Sequence, residues 1–342
     1  MKRFPAAAIL VLAATCGVAS SADFDSGYAV RRTVVTGGEG GWDYLVVDSD
    51  ARRLYVTRGT HVQVFDADTL EPVGDIPDTP GVHGVALAPE LGRGFISNGR
   101  ANSITIFDLK TLRTIEEVKI AGRNPDAILY DPASKRVFAF DGRSADATVL
   151  DAAAGKVVAT LPLGGKPEFA TSDRAGRVYV NIEDKSELVA IDSGKSAVEN
   201  RWPLAPCEEP SGMAIDRVHK RLYVGCGNRL MAVVDASSGR VAATVPIGGG
   251  VDANGFDPGT GFAFSANGEG TLTVAREESP GKFAAANVPT RRGARTMALD
   301  EKTHRIFLVT ADFGPLPAPT ADQPRPRPPI LPGTFTILVV AR

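Results

Sequence analysis

Seven residues occupy one position of a repeating phrase, and six of them carry charge or titrate. They are Asp43, His83, Asp126, Glu168, Asp252 and Arg295, with Ser211 as the seventh. Each stands five residues before the aspartate of the phrase, or before its equivalent Ala88. Four carboxylates drawn to one axis repel, so either their pKa values rise or a cation neutralises them. Carboxylate oxygens favour a hard cation such as Ca²⁺, while His83 adds a nitrogen suited to Zn²⁺ or another transition metal. The candidate metal ligands are therefore Asp43, His83, Asp126, Glu168 and Asp252. Arg295 opposes that use, because a guanidinium can neutralise a neighbouring acid by itself. Three uses stay open: a metal site, an organic-ligand site, and a solvated polar funnel in which Arg295 pairs with adjacent acids.

The phrase that carries these residues recurs seven times. It reads Val47-Asp48 followed by Leu54-Tyr55-Val56, then Tyr130-Asp131 followed by Val137-Phe138-Ala139, and so on to Leu299-Asp300 with Ile306-Phe307-Leu308. The aromatic anchors fall at 55, 95, 138, 179, 223, 264 and 307. A second register has the same period: Phe65-Asp66, Phe107-Asp108, Leu150-Asp151, Ile191-Asp192 and Val234-Asp235. A period of about 42 residues built from short alternating runs and Gly-Lys or Asp turns indicates β-propeller blades. The fold class is all-β, a seven-bladed propeller of four-stranded antiparallel blades. The chain ends on a third-strand pattern, Thr334 to Val340, and the segment Tyr28 to Val35 lacks three strands before it. The N-terminal strand is thus expected to complete the last blade, leaving no open radial edge.

In this fold the seven residues lie at the funnel rim, where the inner strands begin. Loops joining second to third strands share that face and add Arg58, His61, Asn98, Arg100, Asp141, Arg143, Glu183, Asp184, Lys185, Asn228, Asn267 and Glu269 as an outer rim. Each of these residue types also serves hairpin turns routinely. Trp42 adjoins Asp43 and is read as packing between blades, with ligand stacking as the alternative. His219 and His304 fall on the opposite face and are read as surface residues.

The last blade departs from the pattern over 312–333, a proline-rich insertion that includes Phe313, Arg325 and Arg327. A connection this long is either functional or disordered, and its proline spacing favours an extended conformation. It is expected as a lid or docking strap on the funnel face, with a disordered insertion as the alternative.

Composition narrows the class. The 38 basic and 40 acidic residues nearly balance, and no basic stripe suits nucleic acid. Lys2 and Arg3, the apolar run Ala6 to Ala14 and the small residues Ser20-Ser21-Ala22 read as a signal peptide over 1–22. The propeller then spans 23–342, without a transmembrane segment, as a periplasmic or secreted monomer. Cys16 follows Thr15, a poor fit to a lipidation site. In an oxidising compartment Cys207 and Cys226, on the same face of one blade, are expected to form a disulfide, the alternative being two unpaired thiols. No haem Cys-x-x-Cys-His, zinc His-Glu-x-x-His or Gly-x-Ser-x-Gly elbow occurs.

The phrases Leu54-Tyr55-Val56-Thr57, Val178-Tyr179-Val180-Asn181 and Leu222-Tyr223-Val224 resemble the YVTN repeat. So do Arg123-Asn124-Pro125-Asp126 and Gly165-Lys166-Pro167-Glu168. The chain is similar to exported bacterial YncE-like propellers from Tyr28 to Val340. The resemblance implies the fold strongly. Its relatives include lactonases, dehydrogenase subunits and surface proteins, so function must come from the site. The expectation is a binding or scaffold protein that holds a small molecule or protein partner at the funnel face, with no nucleic acid. The alternative is a lactonase-like hydrolase or a dehydrogenase-associated enzyme working at the acidic rim. There, Asp126, Glu168 or Asp252 would act as base or metal ligand, His83 as proton shuttle and Arg295 as oxyanion stabiliser. The cofactor is unassigned, with a divalent cation as candidate.

Overall fold

The computed structural model describes residues 24–320 and 326–342. The signal-peptide segment and Arg325 lie outside the described residues. Seven four-stranded antiparallel sheets form the molecule. Blade three is representative, with strands Pro125–Asp131, Arg136–Asp141, Asp146–Asp151 and Lys156–Pro162 in that spatial order. Blade seven combines Met297–Asp300, Arg305–Thr310 and Thr336–Ala341 with Ala29–Val35 as its outer strand. Val34 pairs with Ile337 and Val30 with Val340, so the first strand described closes the ring as expected.

Burial explains the strand sequences. The second strand of blade three, Arg136–Asp141, is buried at every position after the first. Its two faces pack on neighbouring blades, so it reads as a continuous apolar run rather than an alternating one. The fourth strand of blade two, Thr114–Lys119, is almost wholly exposed and is mostly polar. Core clusters bridge adjacent blades: Phe138 and Phe140 of blade three meet Val178 and Val180 of blade four. At the seam, Leu54 and Val56 pack with Phe307 and Ile337. Trp202 lies in an outer strand over Gly239, where a Cβ would stand 2.0 Å from the indole.

The two aspartate registers serve turns on the face opposite the rim. Asp66, Asp108, Asp151 and Asp235 each accept two backbone N–H bonds from the turn that follows, which is ordinary Asx-turn chemistry. The inner-strand aspartates also fasten blade to blade. Ser172 and Ser193 of blade four donate to Asp131 of blade three at 2.6 and 2.7 Å. Arg52 of blade one reaches Asp300 of blade seven at 2.7 Å. His304 Nδ1 lies 2.8 Å from the buried Asp257, and His219 Nδ1 lies 2.6 Å from Asp216. Both histidines, read from sequence as idle surface groups, are therefore structural partners of repeat aspartates.

Candidate functional site

The rim position owes its geometry to a repeated irregularity. In blades two to six the ladder between first and second strands slips just after the first residue, between Val82 and Val85, Pro125 and Ile128, Pro167 and Ala170, Pro210 and Met213, and Val251 and Ala253. His83, Asp126, Glu168, Ser211 and Asp252 all fall inside these slips. A bulge of this kind re-aims a side chain that would otherwise face a neighbouring strand. Asp43 and Arg295 precede the shorter inner strands of blades one and seven, Leu45–Asp48 and Met297–Asp300. Neighbouring blades brace the rim backbone. Ser97 Oγ donates to the Asp126 carbonyl at 2.5 Å, Asn181 Nδ2 to that of Ser211 at 2.6 Å, and Thr296 Oγ1 to that of Asp43 at 2.8 Å.

All seven rim residues line one open cavity of about 490 Å³ at the funnel mouth. His83 Nδ1 lies 2.6 Å from Asp43 Oδ2 and 3.6 Å from Asp126 Oδ1. Ligand atoms of Asp43, His83 and Asp126 lie within 4.8 Å of one another. Across the cavity, Arg295 Nε is 3.2 Å from Asp252, and Ser211 Oγ donates to Asp252 at 3.1 Å. Glu168 is 2.8 Å from Lys166, which also bonds Glu183. The pairing of Arg295 with an acid is the feature expected of a self-neutralised funnel. It accounts for Asp252, while the Asp43, His83 and Asp126 group receives no guanidinium among the described residues.

Beneath the rim the axis is closed by apolar groups, including Tyr44, Phe169 and Met297, around a void of about 70 Å³. The Tyr44 and Phe169 rings are 5.3 Å apart. This apolar floor shapes the electrostatics, because burial away from water disfavours charge. Burial lifts the Asp126 carboxyl to about 6, opposed by the His83 charge and reinforced by Asp43 and Asp252. Burial likewise lifts Glu168 to about 7 against the bond from Lys166. Asp252 is also raised by burial, with Arg295 opposing. His83 is pushed down by burial, but its bond to Asp43 and the Asp126 charge outweigh that and hold it above its ordinary value. Tyr44 is raised well above its usual value by burial and the surrounding acids.

The outer-rim set divides. Glu183 lines the cavity. Asn98, Asp141 and Asn267 turn inward instead, and are wholly buried. They bond Thr105, Thr148 and Thr273 of the adjacent strand at 2.8, 2.7 and 2.9 Å, clamping each hairpin end. Arg58 is buried beneath the loop 37–41, donating to the carbonyls of Gly37 and Glu39 and to Gln63, with its guanidinium 3.8 Å from the Phe335 ring. Burial lowers it to about 10. It holds the loop that presents Trp42 and Asp43. Glu269 pairs with Arg229, and Asn228 bonds the Pro206 carbonyl.

Lys166 and Glu209 join the cavity lining without having been singled out from sequence. Both stand two residues before a rim residue, a position that is glycine at 41, 81, 250 and 293 and asparagine at 124. Charged residues where other repeats keep a turn former were the available signal. Glu209 even retains the left-handed backbone of that position, with φ of 48°. Its loop is tied down by the Cys207–Cys226 disulfide, S–S 2.07 Å.

The strap lies against the rim. Phe313 and Ile330 form an antiparallel bridge, Gly314 N donates to the Pro329 carbonyl at 2.8 Å and Asp312 pairs with Arg291. The Phe313 ring sits 6.1 Å from Trp42, which also contacts Phe335 at 5.4 Å. Trp42 thus packs within the molecule, as read from sequence, and also faces a cleft beneath the strap. A Cβ on Gly293 would stand 2.7 Å from the Phe313 ring, and its φ of 83° favours glycine as well. Arg327 reaches the funnel cavity.

The sequence matches no protein-family model and no curated protein. Among solved structures it is similar to a chain of Kuenenia stuttgartiensis hydrazine synthase, with a TM-score of 0.70 and 15% identity over 80% of this chain and 94% of that one. At that identity the likeness shows the shared seven-bladed propeller fold alone.

Proposed function

We propose that this propeller is a binding protein whose funnel face holds a small-molecule ligand, with a cation seated among Asp43, His83 and Asp126. One observation carries the reading: three ligand atoms of suitable type converge within 4.8 Å above an apolar floor. Among the described residues no guanidinium reaches this corner, and a cation would offset the burial and the Asp43 and Asp252 charges that together keep Asp126 raised. One imidazole with two carboxylates suits Mn²⁺ or Zn²⁺ better than Ca²⁺, which takes more oxygen ligands. Calorimetric titration with Mn²⁺ and Zn²⁺ tests it. Saturable one-site binding that weakens at least tenfold in Asp43→Asn and Asp126→Asn is expected. Equal binding in wild type and both variants would overturn it.

A hydrolase reading is favoured by a separate observation, since Asp126 near 6 and Glu168 near 7 fall in the range of a general base at neutral pH. Turnover of a simple lactone, abolished by Asp126→Asn, would move the assignment to it. Membership of the YVTN-repeat, YncE-like group and export to the periplasm are part of the same proposal. The repeat phrases and the Cys207–Cys226 bridge support them.

A further inference from the structure

Beside the acidic funnel lies a second cleft of about 580 Å³ with the opposite character. Its walls are Trp42 and Phe313, tilted by 48° to each other, with Ile330 of the strap below them. Among the described residues its charged groups are Arg292, Arg295 and Arg327, and no carboxylate lines it. Arg295 is engaged by Asp252. The side chains of Arg292 and Arg327 are exposed and have no hydrogen-bond or ion-pair partner among the described residues. Arg295, Arg327 and Gly250 line both cavities, so the two are adjacent.

We propose that this cleft is a subsite for an organic anion with a flat apolar body, such as an aromatic carboxylate. Two unpaired guanidiniums provide forked donors that match a carboxylate. The paired aromatic rings provide a face against which a planar body stacks. Glycines at 41, 250, 268 and 293 line the wall, and Gly293 lets the Phe313 ring approach to where a Cβ would stand 2.7 Å from it. Because Phe313 and Arg327 both come from the strap, the insertion in the last blade builds half of the subsite. The inference rests on the reading of the funnel face as a binding site and adds its ligand class: a molecule with an anionic aromatic end beneath the strap and its other end toward the acidic funnel.

The test is calorimetry on the full mature chain with 2-naphthoate, and with 2-naphthylmethanol and acetate as probes lacking the charge or the ring. One-site binding of 2-naphthoate is expected, at least tenfold tighter than either control. Arg292→Ala and Arg327→Ala should each weaken it about tenfold or more, as expected for loss of a charge-assisted bond. Neither side chain supports the fold, so unchanged melting curves accompany that loss. Trp42→Leu should weaken 2-naphthoate as well. Absence of 2-naphthoate binding at millimolar concentration would overturn the proposal, as would affinity unchanged in both arginine variants or equal affinity for the alcohol. Mn²⁺ titration of the same samples separates the two readings. Mn²⁺ binding without 2-naphthoate binding overturns the subsite alone, whereas the reverse overturns the cation reading and leaves the subsite standing.

Discussion

His83 Nδ1 and Asp43 Oδ2 lie 2.6 Å apart although they come from different blades and are 40 residues apart in sequence. The contact exists because successive inner strands start at the same height around one axis. It makes the imidazole the local counter-charge of an acidic corner, with Asp126 Oδ1 3.6 Å from the same nitrogen.

Removing that partner should release the proton. In Asp43→Asn the bond loses its charge assistance and one neighbouring negative charge disappears while burial remains, so the His83 pKa falls. NMR titration of the imidazole signals, only four in the chain, checks the direction. A pKa unchanged by the substitution would contradict the coupling.

The raised carboxyls set a pH dependence of stability. Asp126 and Glu168 titrate near 6 and 7 in the folded protein, above their values in the unfolded chain. Between about pH 4 and those values the folded state therefore binds more protons, and stability falls as pH rises through that window. The loss from these two groups is complete only about one pH unit above the Glu168 value, near pH 8. Asp126→Asn and Glu168→Gln should each raise stability at pH 8 by about 1–3 kcal/mol and flatten the slope, read by denaturant unfolding at several pH values.

The hairpin clamps predict a contrast at one residue. Asp141 is wholly buried, and burial lifts it to about 7, with the bond from Thr148 opposing and Asp146 reinforcing. Asp141→Asn keeps the shape and removes the charge, so it should be neutral or stabilising at pH 8. Asp141→Ala strands the Thr148 hydroxyl and should cost about 1–3 kcal/mol, measured by the same unfolding experiment.

The architecture was legible because two aspartate registers and an aromatic anchor share one period, and closure followed from counting strands at both ends. The seven rim positions were legible by subtraction from the repeat. Contacts that depend on depth were not. Asn98, Asp141 and Asn267 read as rim groups, yet the hairpin turns them inward to a threonine, because a period fixes position along the chain but not the face of the strand. Arg58, read as an outer-rim group, is buried instead: its partners are the Gly37 and Glu39 carbonyls and the Gln63 amide, which leave no charge pattern in sequence.

The disulfide ties the Glu209 loop to the second strand of blade five. Replacing Cys207 and Cys226 together by Ala should cost roughly 3 kcal/mol in the chain-entropy account of a loop this size. Chemical denaturation of the paired variant against wild type measures it, and an unchanged midpoint would show that the bridge adds nothing to stability.

A cation seated by Asp43, His83 and Asp126 would scatter from one place at the funnel mouth. Crystals soaked in Mn²⁺ and measured at a wavelength where manganese scatters anomalously test it most directly. An anomalous peak within coordination distance of all three side chains is expected, lost in crystals of Asp126→Asn. A funnel with no peak, or a peak elsewhere that persists in the variant, would contradict it.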